Sequence, residues 1–143
     1  MSLNIARLLS KVSLDYKCAQ KIVQSGHVID FLNSMILHRD SSAILIRITY
    51  ILGNLTTNFE EARVKLCTRK GNQSSAFKTI IDLACYYLEK DINPGGTPSK
   101  TTGKNKIYEE FSTGNLEDAL TKILKLLANL STEEKAAATE FLQ

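Results

Sequence analysis

A six-residue phrase recurs three times along the chain, and its spacing dictates the architecture. Leu8-Leu9-Ser10-Lys11-Val12-Ser13, Ile51-Leu52-Gly53-Asn54-Leu55-Thr56 and Leu126-Leu127-Ala128-Asn129-Leu130-Ser131 align without gaps. The first step is 43 residues; the second is 75, which is the first step plus 32. The register extends further: Ala19, Ala62 and Ala137 correspond, as do Val23, Leu66 and Phe141. The third position of the phrase is always small (Ser10, Gly53, Ala128), which is expected to let a neighbouring helix approach closely. A unit of this length cannot bury its apolar face alone and must stack on its neighbours.

The extra 32 residues are partly legible. Asn93-Pro94-Gly95-Gly96-Thr97-Pro98-Ser99-Lys100, continuing to Asn105, is turn chemistry without apolar periodicity. It predicts a flexible insertion at about 91–108 within a single helical domain spanning 1–143. Loop entropy grows slowly with length, so a stack tolerates such an insertion. Helices are predicted near 2–12, 15–25, 28–38, 42–56, 59–69, 75–90, 115–130 and 132–142. Gly26 suits the end of the second, and Gly71-Asn72 breaks the chain before the sixth. Ser131-Thr132-Glu133-Glu134 has the S-x-x-E form of a capping box for the last. Segment 42–56 is apolar around most of its circumference, through Ala43, Ile44, Leu45, Ile46, Ile48, Ile51, Leu52 and Leu55. Such a helix belongs between neighbours, as the inner member of a stack.

Composition narrows the function classes. The chain has 143 residues, enough for one domain with a core. Its two prolines, Pro94 and Pro98, both fall in the insertion and leave long stretches open to helix. A net charge of +3 with no run of five like charges lacks the basic footprint of a nucleic-acid binder. No stretch approaches the roughly 20 apolar residues of a membrane span, and no apolar core of a signal peptide follows Met1 to Ile5. The expectation is a cytoplasmic protein. Cys18, Cys67 and Cys85 are far apart with no C-x-x-C pair, and read as small buried apolar side chains rather than metal ligands. His27 and His38 stand eleven apart; His27 reads as a turn residue. No Ser, Cys or Thr lies beside a base and an orienting acid. Gly95-Gly96 runs into proline and loop text rather than a helix start, so no phosphate loop is present. No catalytic residue, cofactor, metal or small-molecule substrate is expected. The Asn-x-Ser/Thr matches at Asn54, Asn72 and Asn129 read as chance, and Thr97-Pro98 is a phosphorylation candidate beside Lys100 and Lys104.

The units Gln24-Ser25-Gly26-His27-Val28-Ile29 and Ile51-Leu52-Gly53-Asn54-Leu55 resemble the armadillo repeat. In that repeat a helix, a Ser-Gly-His turn, a second helix and a third helix ending in Leu-Gly-Asn-Leu follow one another. The period of 43 lies in the roughly 40–47 range of such units. The resemblance implies an all-α, armadillo-like α-solenoid, a right-handed superhelix of three-helix repeats. About two full repeats, the second interrupted, stand between partial repeats at both ends, and the chain reads as a piece of a longer array. Arg47 to Thr56 with Glu61-Ala62-Arg63, and Leu116-Glu117-Asp118-Ala119-Leu120 leading to Leu127-Ala128-Asn129-Leu130, are similar to ciliary members of the class. Those members are implicated in axoneme assembly and radial-spoke delivery by intraflagellar transport.

The resemblance also implies that a partner lies along a concave surface of third helices, where the helix-ending Asn contacts peptide backbone. Asn54 and Asn129 match that position, and Lys11 replaces it in the first phrase. Counting back along one helical face adds Asn4 and Arg7 to Lys11, Arg47 and Tyr50 to Asn54, and Lys122 and Lys125 to Asn129. None of these nine is acidic and five are basic, a stripe suited to an acidic extended segment. The bland alternative is a solvated face whose Lys and Arg stems lie along apolar surface. The expected function is a non-catalytic protein-interaction scaffold or adaptor in cilium or flagellum assembly, with radial-spoke or intraflagellar-transport components as partners. A peptide-binding module of nuclear-transport or catenin type, or a regulatory helical domain of a larger enzyme, fits the same residues. The absence of Trp weakens the transport version, whose grooves pair Asn with Trp. A nucleic-acid-binding helical repeat is a further alternative, marked by salt-dependent binding.

Overall fold

The computed structural model describes residues 1–68, 75–92 and 113–133. Among these the backbone forms helices without strands. They are α1 (Leu3–Val12), α2 (Tyr16–Gln24), α3 (Val28–Leu37), α4 (Ser42–Asn58), α5 (Glu60–Cys67), α6 (Ala76–Ile92) and α7 (Thr113–Ser131). Local chemistry sets several of the boundaries. Ser2, Asp15 and Ser75 accept backbone N–H groups of Ile5, Cys18 and Lys78 in the first turns of α1, α2 and α6, at 3.4, 2.9 and 3.2 Å. Gly26, at φ +84°, ends α2 in the left-handed region that favours glycine. His27 closes the turn, its Nδ1 2.8 Å from Asp30.

The helices fall into the three-helix units that the register implies. The first comprises α2, α3 and α4, the second α5, α6 and α7, and α1 is a third helix without its own unit. The three third helices stack side by side, α1 on α4 and α4 on α7, and these are among the most extensive packings in the fold. Helix α4 is the spine. Leu45, Ile48, Ile51, Leu52 and Leu55 are fully buried, and Arg47 is the one exposed residue from Ser42 to Thr56. One apolar cluster runs from Ala19 to Leu130, with Met35, Leu66, Ile80, Tyr87, Ile123 and Leu126 wholly inside it. The corresponding pairs Ala19 and Ala62, and Val23 and Leu66, are buried alike.

The register also explains which faces stay open. Ala6, Ser10 and Ser13 are buried on the side of α1 towards α4, and Thr49, Gly53 and Thr56 are buried one step on, towards α7. Ile48 and Ile51 are 0% exposed, whereas their counterparts Ile5 and Leu8 on α1 are 52% and 63% exposed.

Several expectations are corrected. Helix α6 continues to Ile92, past the expected start of the insertion; the rest of the insertion, the break at Gly71-Asn72 and most of the last helix lie outside the described residues. The partner of Ser131 in the expected capping box, Glu134, lies outside the described residues. Ser131 closes α7 and donates its hydroxyl back to the Ala128 carbonyl at 2.8 Å, while Glu133 turns to Arg63. Cys18 and Cys85 are exposed rather than buried, because both fall on the outer faces of their helices; Cys67 alone packs partly against the core. Gly53 is buried, yet a Cβ there would meet nothing within 4 Å, so close helix approach does not require it.

Candidate functional site

The third helices present one accessible strip. Along the middle of α4, from Leu45 to Thr56, only Arg47, Tyr50 and Asn54 are not buried. On α1 the matching residues Asn4, Arg7 and Lys11 are exposed. On α7 Lys125 is exposed, and Lys122 and Asn129 are half-buried. The structure brings these residues onto three adjacent helices and joins some of them directly.

The asparagines are joined to the array itself. Asn54 Nδ2 donates to Ser13 Oγ at 2.9 Å. Asn129 Nδ2 lies 3.0 Å from Thr56 Oγ1, 3.0 Å from Thr57 Oγ1 and 3.2 Å from the Gly53 carbonyl. The accepting hydroxyls have already committed their hydrogens. Ser13 donates to Ser10 O at 2.8 Å, Thr56 to Leu52 O at 2.8 Å and Thr57 to Gly53 O at 2.7 Å. Only lone pairs remain, so the amide must present its NH₂ edge. Ser13 and Thr56 occupy the same register position, and so do Asn54 and Asn129; one contact is repeated in successive units. Its acceptors, Ser13 and Thr56, read in the sequence only as an unremarked hydroxyl at the end of each phrase.

The basic residues divide into two groups. Lys122 Nζ lies 2.8 Å from Asp118 Oδ1 and 5.6 Å from the centre of the Tyr50 ring, a cation–π placement across helices. Asp118, one turn before Lys122 at the register position of Ala43, is an acid that counting back from Asn129 passed over. Arg7, Lys11, Arg47 and Lys125 form no ion pair among the described residues. Among the described residues the strip therefore keeps four cations outside ion pairs, with Arg47 at its centre.

Two other places join the units. Arg63 on α5 donates to Thr56 O at 2.7 Å and to Glu133 Oε1 at 2.9 Å, both Arg63 and Glu133 being largely buried. Lys65 reaches back to Val23 O at 2.9 Å, and Tyr16 stacks on its register equivalent Phe59 at 5.0 Å. Between α3 and α6 a shallow cleft is lined by Ile36, Arg39, Thr79, Asp82, Leu83 and Tyr86. Tyr86 donates its hydroxyl to Asp40, and the Arg39 guanidinium and Lys90 ammonium each lie 5.4 Å from its ring centre. Burial first, then that hydrogen bond to a carboxylate, push the Tyr86 phenol up to about 12. Sequence reading did not single out this cluster, whose members lie 46 residues apart and share no repeat phrase. Among the described residues no group of three or more His, Cys, Asp or Glu side chains is arranged to hold a metal. No described helix is long and apolar enough to cross a membrane.

Three curated relatives align with nine-tenths of the chain. Armadillo repeat-containing protein 2 of Bos taurus is 28% identical over 130 residues, 90% of this chain. The proteins of the same name from Mus musculus and Homo sapiens are 27% and 25% identical over 129 residues, again 90% of this chain. The chain spans 14% of the length of these relatives. No family model matches the chain. No solved structure matches it either.

Proposed function

The chain is an all-α, armadillo-type repeat array, and from that premise we propose that it is a non-catalytic scaffold holding an extended acidic segment of another protein. The segment lies across the third helices, along Arg7, Lys11, Arg47, Tyr50, Asn54, Lys122, Lys125 and Asn129. The observation that carries this reading is the set of four cations without ion-pair partners among the described residues, on three stacked helices, where the middle of the spine helix meets solvent. A cation left solvated on a rigid surface attracts an anionic segment at long range and fixes its register on arrival. The setting we propose is the cytoplasm and cilium or flagellum, with radial-spoke or intraflagellar-transport components as partners. Its support is the resemblance of Arg47 to Thr56 and Leu116 to Leu130 to ciliary armadillo-repeat proteins.

Fluorescence anisotropy with a labelled glutamate-rich peptide tests the surface. Reversing Arg47 and Lys125 to glutamate is expected to weaken binding by about tenfold or more, with little change in melting temperature because both side chains are exposed. Unchanged affinity in that variant removes the strip as the binding surface. Affinity purification of the chain from ciliated cells tests the setting: spoke or transport-train components are expected, and recovery of nuclear-import cargo in their place overturns it.

A further inference from the structure

The proposed groove leaves open which feature of the partner it reads, and the hydrogen bonds of the asparagines decide between main chain and side-chain charge. We infer that Asn54 and Asn129 are positioning residues that clip each third helix to the one before it, and that the partner is recognised through its carboxylates. This rests on the groove reading above and specifies its chemistry.

Both asparagines point their NH₂ groups at the preceding helix. Bonds to the preceding helix hold both amides: one N–H of Asn54 goes to Ser13, and both N–H groups of Asn129 are taken up among Thr56, Thr57 and Gly53. Three acceptors surround two hydrogens at Asn129, and withdrawing that amide to meet a ligand would take the donor from the buried Thr56 hydroxyl oxygen. The cations of the strip that form no ion pair among the described residues are Arg7, Lys11, Arg47 and Lys125. The register step that sets Lys122 over Tyr50 also relates Arg47 to Arg7, which gives two guanidiniums in neighbouring helices with no carboxylate among the described residues paired to either. Charges of this kind do not sense the handedness of a partner's backbone, whereas a ladder of amide bonds to main chain does.

Two measurements on the whole chain test the two halves separately. In thermal unfolding, Asn54→Ala and Ser13→Ala are each expected to lower the melting temperature by about 3 °C. The double variant should be no worse than the more affected single one, because one contact is being removed twice. Ser13→Thr is expected to restore the melting temperature, since Thr56 accepts the same bond in the next unit. Asn54→Asp, which sets an acceptor against a hydroxyl that can only accept, should melt no higher than Asn54→Ala. Additive losses, or an Asn54→Ala variant that melts normally but binds about tenfold more weakly, overturn the clip. In anisotropy, labelled poly-D-glutamate is expected to bind within about threefold of poly-L-glutamate of equal length; a preference of about tenfold for the L form overturns recognition by charge. If neither polymer binds, the groove reading fails together with charge recognition, while the melting cycle, which needs no ligand, still supports or overturns the clip.

Discussion

At the scale of single residues, the contacts between units depend on groups whose chemistry is narrow. Tyr86 is the clearest case. Its phenol sits between helices, donates to Asp40, and is held at about 12. Ionisation would set a phenolate against a carboxylate, which the Arg39 guanidinium and the Lys90 ammonium beside the ring offset only in part. The folded value is raised above the roughly 10 of an unfolded tyrosine. The stabilisation is therefore complete below about pH 10 and is lost as pH rises towards about 12. Absorbance titration at the phenolate band is expected to show a late-ionising step that is reduced in Tyr86→Phe. The urea midpoint of the parent chain should also fall more steeply than that of Tyr86→Phe above about pH 10. Equal slopes in the two proteins would mean that the Asp40 contact is not kept in solution.

At the scale of the helix, two glycines with equally open surroundings make opposite demands on the chain. A Cβ added at Gly26 or at Gly53 meets nothing within 4 Å, so backbone conformation alone decides the outcome. Gly26 stands at φ +84° beyond the end of α2, and Gly26→Ala is expected to cost about 1 kcal/mol. Gly53 lies inside α4, and Gly53→Ala is expected to stabilise by about 0.5–1 kcal/mol through helix propensity. Urea midpoints of the two variants should move in opposite directions; a loss at Gly53 comparable to that at Gly26 would show that α7 sits closer to α4 than the structure has it. The same pair marks what a single sequence reveals. Gly26 is legible because a glycine after an amphipathic stretch has one common use. The helices are legible because their apolar period repeats at a fixed step, and the apolar girth of α4 announces its burial. Gly53 misleads, because small size suggests close packing whether or not a neighbour comes near. The nine strip residues follow from helical geometry, but the direction of the asparagine amides does not: their acceptors lie 41 and 73 residues away on other helices. Asp118 escapes notice because its effect on Lys122 depends on a side-chain conformation rather than on spacing.

At the scale of the whole molecule, a stack of units has no single stability. Each helix is held by its own unit and by the units beside it, so protection should follow the number of packed neighbours. Helix α4 packs against α1, α2, α3, α5 and α7, and its central residues are wholly enclosed. Helix α1 has 10 residues, packs chiefly on α4, and leaves Ile5 and Leu8 more than half exposed. A helix of that length has little stability of its own. Native-state hydrogen exchange is accordingly expected to show α4 amides opening only with the global transition, and α1 amides opening locally, about a hundredfold less protected. The contrast tests the register argument directly, because Ile5 and Leu8 hold the positions of Ile48 and Ile51, and only the covering helices differ between them. If α1 were instead protected as strongly as α4, the exposed side would have to be covered in solution. Repeating the exchange at lower protein concentration would then identify the cover: protection lost on dilution means a second copy of the chain, and protection that persists contradicts the order of unfolding argued here.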